Sequence, residues 1–392
     1  MLLPVHQTYR VDAKIITFAV MNRTFALVGI LVLLFGAIAY TTYRIWHILP
    51  LPQWGKTAVA GLYLLCFLVI FPHYMLGNRM PFSLAAATYE IGNSWMIFFI
   101  YALMFFLALD LGRLVHLVPK DFVINSLAGT CTVFGVIIGL LTYGGFHYHH
   151  KYREAIELTT EKQLEKPLTI VLASDLHAGY HNRGKELGRW VDLINAEHPD
   201  LVLFAGDIVD GSLRPVIEKD YAIIFQRIDA PVYACLGNHE YIGGWEQAEE
   251  FISKAGITLL KDSAAVACGI RIIGRDDRSS SSRALLPELF QPDSLFTIVL
   301  DHQPYHLEDA EAAGADFQFS GHTHHGQVWP GNWLTDAMYE KAFGPHQRVK
   351  TRYYISSGLG IWGGKFRIGT RSEYIVLKLR SEGRSVATGP RE

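Results

Sequence analysis

The feature that most restricts the fold of this chain is a set of four charge-free apolar stretches near its N-terminus. They run over residues 24–43, 57–78, 91–109 and 122–143. A helix needs about 20 residues to cross a bilayer, and each stretch is close to that length. None of the stretches has polar residues that recur at helical spacing, as the exposed face of a soluble helix does. A cleaved signal peptide does not explain them either, because three more follow the first. We therefore predict a membrane domain over residues 1–150 with four transmembrane helices.

The distribution of charge divides the chain at the same point. Residues 1–150 carry 12 charged side chains, whereas residues 151–392 carry 60. A soluble domain normally has about a quarter of its residues charged, so one soluble globule is excluded. A disordered chain is excluded because half of the residues are hydrophobic. The net charge of −2 lacks the clustered basic excess of a nucleic-acid-binding protein, and we expect no nucleic acid binding.

The basic residues that flank the four stretches indicate an orientation. Seven Lys or Arg lie on the N-terminal side of the predicted bundle and four lie on the opposite side. Because positive residues favour the cytoplasmic side, both termini are predicted to be cytoplasmic. Four cysteines without a C-x-x-C pair are compatible with a reducing compartment. The prediction is a multi-pass membrane protein with a cytoplasmic catalytic domain.

The rest of the chain has the pattern of an α/β domain over residues 151–382, followed by a polar tail over residues 383–392. Short runs rich in β-branched residues predict strands covered on both faces. These runs are 168–175, 201–207, 232–238, 271–274, 296–302, 317–322, 353–358 and 373–379. Helix-compatible stretches lie between them at residues 184–197, 245–255 and 307–313.

Metal-capable residues follow five of these predicted strands. Open α/β sheets place their ligand sites at the carboxyl ends of strands, so this recurrence predicts one site. At the first strand, alternation along the strand is expected to direct Asp175 and His177 to one ion. At the second, Gly206 is expected to free the backbone to turn, and the two oxygens of Asp207 can bridge two cations. The predicted ligands are Asp175, His177, Asp207, Asn238, His302, His322 and His324.

The donor types indicate which metals this site would take. Aspartate, asparagine and histidine without thiolate suit Mn²⁺, Fe²⁺ or Zn²⁺, and Mn²⁺ is the first candidate. A structural zinc site would usually be rich in cysteine. The number of donors exceeds one coordination shell, so we predict two divalent metal ions per chain. Two ions about 3.5–4 Å apart acidify a bridging water and hold both oxygens of an in-line displacement at phosphorus.

Four further residues are candidates for catalysis or substrate binding. His239 follows Asn238 directly and is expected to face the substrate, where it would stabilise the developing charge or protonate the leaving alkoxide. Asp210 would hold the His239 ring in its useful tautomer. Arg183 is a candidate phosphate clamp, and Asn182 is a candidate lining residue of the same pocket.

The motifs D-L-H, G-D-I-V-D, G-N-H-E, D-H-Q-P and G-H-T-H, in this order, resemble the calcineurin-like metallophosphoesterase superfamily. The resemblance covers about residues 152–380 and is to the membrane-anchored branch. It implies a four-layer α/β/β/α sandwich with a dinuclear site and a catalytic His239. It also implies the distribution of the ligands between the ions. One ion would be held by Asp175, His177, Asp207 and His324, and the other by Asp207, Asn238, His302 and His322.

The leading hypothesis is a membrane-anchored metallophosphoesterase in which a metal-bridging hydroxide attacks phosphorus. Its substrate would be a membrane-proximal or lipid-linked phosphodiester or phosphomonoester, because an anchor raises the effective concentration of such substrates. Membrane lipids are the expected partners. One alternative is a nucleotide or cyclic-nucleotide phosphodiesterase that uses the helices only as an anchor. Another is a metal-binding membrane sensor with a decayed catalytic site, although neither a ligand nor His239 is missing.

Overall fold

The computed structural model of this chain describes residues 13–291 and 294–382, and the predicted polar tail at 383–392 lies outside them. The described chain divides into two compact units. The first comprises the described residues up to Phe67 together with Trp95–Ile137. The second comprises Leu68–Ser94 together with the chain from Ile138 onward. The α/β domain therefore shares its compact unit with two helical segments that precede residue 150.

Four helical regions in the described residues are long and apolar enough to cross a membrane. They are Leu27–Ile48, Gln53–Arg79, Phe82–Leu114 and Leu127–His149. The prediction of four apolar helices before the α/β domain is confirmed. The bounds of the helices are α1 Ala13–Ile48, α2 Gln53–Leu68, α3 Ile70–Leu76, α4 Phe82–Leu114, α5 Lys120–Val123 and α6 Leu127–His149.

The surface of the first unit is apolar, and its interior contains a polar contact. Leu33 is 75% exposed and Leu65 is 60% exposed, which suits a lipid environment better than water. Inside the unit, Arg44 lies 3.0 Å from Asp110, and the Tyr40 hydroxyl donates to the same carboxylate at 2.6 Å. Ionisable groups in membrane helices commonly pair in this way because an isolated charge is costly there.

The α/β domain contains two six-stranded sheets. Its strands are β1 Lys151–Thr160, β2 Leu168–Ala173, β3 Leu201–Ala205, β4 Val232–Cys235, β5 Ile257–Leu259, β6 Ser263–Ala267, β7 Ile270–Gly274, β8 Thr297–Leu300, β9 Phe317–Ser320, β10 Gly344–Arg348, β11 Thr351–Ile355 and β12 Ser372–Ser381. Its helices are α7 Gly184–Asn195, α8 Arg214–Glu218, α9 Ala222–Phe225, α10 Asn238–Gly243, α11 Trp245–Lys254, α12 Leu307–Ala313 and α13 Gly331–Met338.

The sheets pack face to face between two layers of helices. The first sheet has the order β1-β12-β2-β3-β4-β5, and the second has the order β10-β11-β9-β8-β7-β6. One core lies between the sheets and contains Leu203 and Leu300. A second core joins the first sheet to α7 and α11 through Trp190 and Phe251, and a third packs α12 against the second sheet through Leu307. The predicted four-layer α/β/β/α architecture is confirmed.

Every predicted strand has a counterpart in the structure, but the sequence did not predict β1, β5, β6 and β10. These are the two outer strands of each sheet. An edge strand is exposed on one side and carries polar or small residues, so it lacks the continuous apolar run of a central strand. From Arg153 onward, the sequence of β1, KYREAIELTT, alternates exposed residues with less exposed ones. The central parallel strands were predictable because both of their faces are covered.

Candidate metal centre

The predicted ligands lie just after the carboxyl ends of β2, β3 and β4 in the first sheet and β8 and β9 in the second, and Asn238 is the first residue of α10. The expectation that strand alternation aligns Asp175 with His177 was wrong, because β2 already ends at Ala173. Both residues instead have left-handed backbone, with φ of 54° and 46°. Such a backbone costs about 1 kcal/mol or more in a residue other than glycine, and strain of this kind is concentrated at functional sites.

Three of the predicted ligands form a group that we call the enclosed donor group: Asp175, His177 and His324. All three side chains are buried. The Nε2 atoms of His177 and His324 are 3.1 Å apart, and His324 Nε2 is 3.4 Å from Asp175 Oδ1. Donors bound to one ion at about 2.1 Å lie roughly 3.0–3.5 Å from one another, so these separations suit a shared cation.

The other four predicted ligands form the open donor group: Asp207, Asn238, His302 and His322. His302 Nε2 lies 3.1 Å from both Asp207 Oδ2 and Asn238 Oδ1. His322 Nδ1 lies 2.8 Å from the same Asn238 oxygen. The group differs from the enclosed donor group because Asn238 and His322 are only half-buried.

Asp207 belongs to the open donor group but also approaches the enclosed donor group. Its Oδ2 is 3.1 Å from His302 Nε2 and 3.6 Å from His177 Nε2. Its Oδ1 accepts the backbone N–H of His239 at 2.9 Å. One oxygen of Asp207, rather than two, therefore faces both groups.

The hydrogen bonding of His302 provides a test of whether the donors fit a cation. Its Nδ1 donates to the carbonyl oxygen of Ala205 at 2.8 Å, so in a neutral ring the Nε2 lone pair would face two oxygen acceptors. Three facing acceptors repel one another unless a positive charge lies between them. Burial alone lowers the pKa of His302, but the charge of Asp207 raises it well above its usual range. The pocket therefore favours a cation, and its oxygen and imidazole donors fit divalent metals.

Two glycines allow the loops of Asp207 and Asn238 to approach each other. Gly206 has a φ of 76°, and a Cβ there would lie 2.8 Å from the His302 ring. A Cβ at Gly237 would lie 2.3 Å from Asp207 Oδ1. A side chain at either position would displace a predicted ligand, which agrees with the predicted role of Gly206.

His239 and Asp210 form a hydrogen-bonded pair beside the donor groups. His239 Nδ1 lies 3.0 Å from Asp210 Oδ1. Burial lowers the pKa of His239, but the charges of Asp207 and Asp210 outweigh it and raise the pKa to about 9. Burial raises the pKa of Asp210, but the neighbouring His177 and His239 rings hold it well below its usual range. The carboxylate and a protonated ring thus stabilise each other.

Glu240 supports this site, and the sequence analysis gave it no role. Its buried carboxylate accepts the backbone N–H groups of Asp207 at 3.0 Å, Val209 at 3.0 Å and Gly237 at 2.7 Å. Burial, with the nearby charge of Asp207, raises the pKa of Glu240 to about 7. An acid three residues after the residue that begins a helix commonly binds the backbone N–H at the helix start. That spacing, between Gly237 and Glu240, was the available signal.

Arg367 is a second supporting residue that the sequence did not reveal. Its buried guanidinium donates to the carbonyl oxygens of His324 at 2.8 Å, Ser357 at 2.5 Å and Gly360 at 3.0 Å. It therefore holds the loop that carries His324. The sequence analysis gave Arg367 no role, because its partners are backbone carbonyls distant in the chain.

The two predicted substrate-binding residues have other partners in the structure. Asn182 is fully buried; its amide donates to the carbonyls of Leu176 and Ile361, and its oxygen accepts from the Tyr148 hydroxyl at 2.6 Å. Arg183 donates to the Tyr180 carbonyl and forms an ion pair with Glu90, both at 2.6 Å. Both side chains thus bond to other groups of the protein. Their role in substrate binding stays a prediction without support.

Residues 168–326 match the family model of the calcineurin-like phosphoesterases. The matched range begins with β2 and ends just after His324, so it contains every predicted ligand together with Asp210 and His239. The chain carries a calcineurin-like phosphoesterase domain, which confirms the resemblance of its motifs to that superfamily.

Several relatives are named as metallophosphoesterases. The chain is 30% identical to an uncharacterized metallophosphoesterase of Helicobacter pylori, over 55% of this chain and 61% of the relative. It is 27% identical to one from another strain of that species, over 87% of this chain and 94% of the relative. It is 28% identical to the transmembrane protein with metallophosphoesterase domain of Danio rerio, over 57% of this chain and 56% of the relative. The chain thus spans less than two thirds of the first and third relatives.

The similarity to a transmembrane protein agrees with the four apolar helices of the described chain. Both observations indicate that the protein associates with a membrane.

Proposed function

We propose that this chain is a membrane-anchored phosphoester hydrolase with a dinuclear metal site. The observation that carries the proposal is the position of Asp207, one oxygen of which faces both the enclosed and the open donor group. The hydrogen-bonded pair of His239 and Asp210 adds a group that can transfer a proton. Metal-assisted hydrolysis of an alkyl phosphoester would use these two elements together.

The two donor groups would hold two divalent ions per chain, with Mn²⁺ as the first candidate and Fe²⁺ or Zn²⁺ as alternatives. Bound there, the ions would supply an acidified water and neutralise the charge of the phosphoryl oxygens. The chain contributes the remaining functions. Asp207 fixes the backbone of His239 through its Oδ1, and Asp210 holds the Nδ1 of the same ring. The Nε2 of His239 is then the atom that would donate a proton to the leaving oxygen.

A cavity of about 1080 Å³ supports a substrate located at the membrane. His239 and Asp210 line it together with residues 73–79, which lie at the end of the candidate membrane span Gln53–Arg79. Its lining includes Met75, which is 80% exposed, and Ile242, which is 66% exposed. A free inorganic phosphate would leave this apolar surface uncovered, whereas the chains of a lipid-linked phosphoester would cover it. We therefore propose an amphiphilic phosphodiester or phosphomonoester as the substrate.

The catalytic domain is proposed to face the cytoplasm, because more basic residues flank that side of the four helices. Sealed vesicles of known orientation would test this. The expected result is that added protease removes the domain only from vesicles whose cytoplasmic face is outward. Removal of the domain only from vesicles of the opposite orientation would show that the domain faces away from the cytoplasm.

Hydrolysis of bis-p-nitrophenyl phosphate by the full-length chain in detergent would test the reaction. Turnover should require an added divalent metal and should be abolished in Asp207→Ala. Asp192→Ala is a matched control, since that carboxylate is exposed and lies outside both donor groups. Normal turnover in Asp207→Ala would refute the proposal. Faster hydrolysis of cyclic nucleotides than of vesicle-borne phosphoesters would keep the hydrolase but exclude the lipid-linked substrate.

A further inference from the structure

Asp210 makes a second hydrogen bond, to a residue outside the range that matches the family model. The hydroxyl of Tyr89, in α4, donates to Asp210 Oδ2 at 2.6 Å. Tyr89 is buried and belongs to the same compact unit as the α/β domain. Its oxygen in turn accepts the backbone N–H of Gly363 at 3.1 Å, which fixes the position of the hydroxyl. The carboxylate of Asp210 is therefore held at one oxygen by Tyr89 and at the other by His239.

The histidines beside Asp210 indicate that the Tyr89 hydroxyl offsets a repulsion at the Asp210 carboxylate. The Nδ1 atoms of His177 and His181 each lie 3.7 Å from an oxygen of Asp210. Within the described residues, neither Nδ1 has a hydrogen-bond partner. His181 Nε2 faces the carbonyl oxygen of Ile361 and would donate to it, and burial lowers the pKa of His181 to about 4. A neutral His181 then presents the Nδ1 lone pair to Asp210 Oδ2, where the hydroxyl proton of Tyr89 offsets the repulsion.

We infer that Tyr89 is a positioning residue, which holds Asp210 in the orientation that directs His239 at the leaving group. Without the hydroxyl, Oδ2 would be a buried acceptor facing a lone pair, so the carboxylate would rotate away. The nearest alternative donor for Oδ1 is His177 Nδ1, and a move towards it would release the His239 ring. The inference rests on the proposed hydrolase function. If Tyr89 has this role, then α4, a helix of the apolar N-terminal region, contributes directly to the catalytic geometry.

The choice of leaving group distinguishes this role from a merely structural one. A weakly basic p-nitrophenolate departs without a proton, whereas an alkoxide needs one. Tyr89→Phe should therefore lower kcat about tenfold for an alkyl phosphoester, the lower end of what loss of a supporting hydrogen bond usually costs. For the matched p-nitrophenyl ester the loss should be no more than about threefold. KM should be unchanged for both.

Tyr353→Phe is a matched control, because its buried hydroxyl also makes one short hydrogen bond, at 2.7 Å to the Leu307 carbonyl. It should lower the thermal midpoint about as much as Tyr89→Phe but leave both kcat values unchanged. Both variants should retain the wild-type metal content. A loss of bound metal in Tyr89→Phe would overturn the inference, because Tyr89 would then act through the ion site.

A double-mutant cycle with His239→Ala completes the test. If Tyr89 acts only through Asp210 and His239, then Tyr89→Phe should have no further effect on kcat in the His239→Ala background. Losses that multiply, or equal losses for the two leaving groups, would refute the inference. A wild-type chain that hydrolyses no phosphoester would instead refute the proposed function, so the two failures are distinguishable.

Discussion

The enclosed and the open donor group both combine an aspartate with two histidines, and the open group adds Asn238, but the protein surrounds the two groups differently. Every member of the enclosed donor group is buried, and Arg367 holds one of its loops through the His324 carbonyl oxygen. In the open donor group, Asn238 and His322 keep part of their surface accessible. The difference indicates that one ion would be locked in by the fold, while the other could be reached by solvent and substrate.

The supporting residues differ in the same way. Arg367 is a cation that binds carbonyl oxygens beside the enclosed donor group. Glu240 is an acidic residue whose carboxyl oxygens accept backbone N–H groups beside the open donor group. Each group thus has its own support, and the two supports can be removed separately.

The largest expected effect comes from removing metal. Brief chelation should take the ion of the open donor group first, because water already reaches two of its donors. About one ion per chain should remain, with turnover at least about a hundredfold lower, since metal-assisted hydrolysis uses both ions. Metal analysis and a turnover assay on the same samples would measure this.

Single-ligand variants identify which ion leaves. In His322→Ala, with the open donor group impaired, only slow metal release should remain. In His324→Ala only fast release should remain. Equal release rates for the two ions in the wild-type chain would contradict the comparison between the groups.

The next largest effect is expected from Arg367→Met. The variant leaves three buried carbonyl oxygens without their donor, which should lower the free energy of unfolding by about 3 kcal/mol. It should also weaken metal binding at the enclosed donor group alone. Thermal unfolding in detergent and metal release kinetics would measure the two effects. Arg380→Met is a suitable control, because that arginine is half exposed and pairs with an exposed glutamate. Loss of the fast-releasing ion instead would show that Arg367 supports the other group.

The comparison also shows which parts of the structure the sequence could predict. The central strands and the grouping of the seven predicted ligands at one site were predictable, because a doubly covered strand needs a continuous apolar run and Asp, Asn and His are common metal-binding residue types. The left-handed backbone at Asp175 and His177 was not, since only packing in the folded chain stabilises such a conformation. The edge strands were missed because an exposed strand needs no apolar run.

The supporting residues were harder to predict than the ligands for a different reason. Arg367 binds backbone carbonyls, and any residue has those, so no partner motif exists in the sequence. Tyr89 lies just before the apolar stretch 91–109, where an aromatic residue usually indicates a membrane interface. Its contact with Asp210 spans 121 positions of the chain and depends on the fold. Ligands are therefore recognisable by their type, whereas supports are recognisable only by their position.

A smaller effect is expected from Glu240→Gln. An amide offers one acceptor oxygen instead of two, so one of three buried N–H groups would face an NH₂ group. The free energy of unfolding should fall by about 2 kcal/mol, as is usual when a buried donor loses its partner. The ion of the open donor group should be released faster, while the enclosed one is unaffected. Glu249→Gln, on an exposed position of α11, controls for the loss of one negative charge. A faster release of both ions would show that the two supports are coupled.

The smallest effect is expected from Ser174→Ala. The Ser174 hydroxyl donates to Asp175 Oδ2 at 2.6 Å, and Asp175 also accepts the backbone N–H of His322 through Oδ1 at 3.0 Å. Removing one of these hydrogen bonds should cost about 1 kcal/mol and leave the carboxylate in place. The slow phase of metal release should become at most several-fold faster, and the fast phase should be unchanged. Ser253→Ala, at an exposed position, serves as the control in the same assay. If Ser174→Ala released the enclosed ion as fast as the open one, then hydrogen bonding rather than burial would be what locks that ion in the protein.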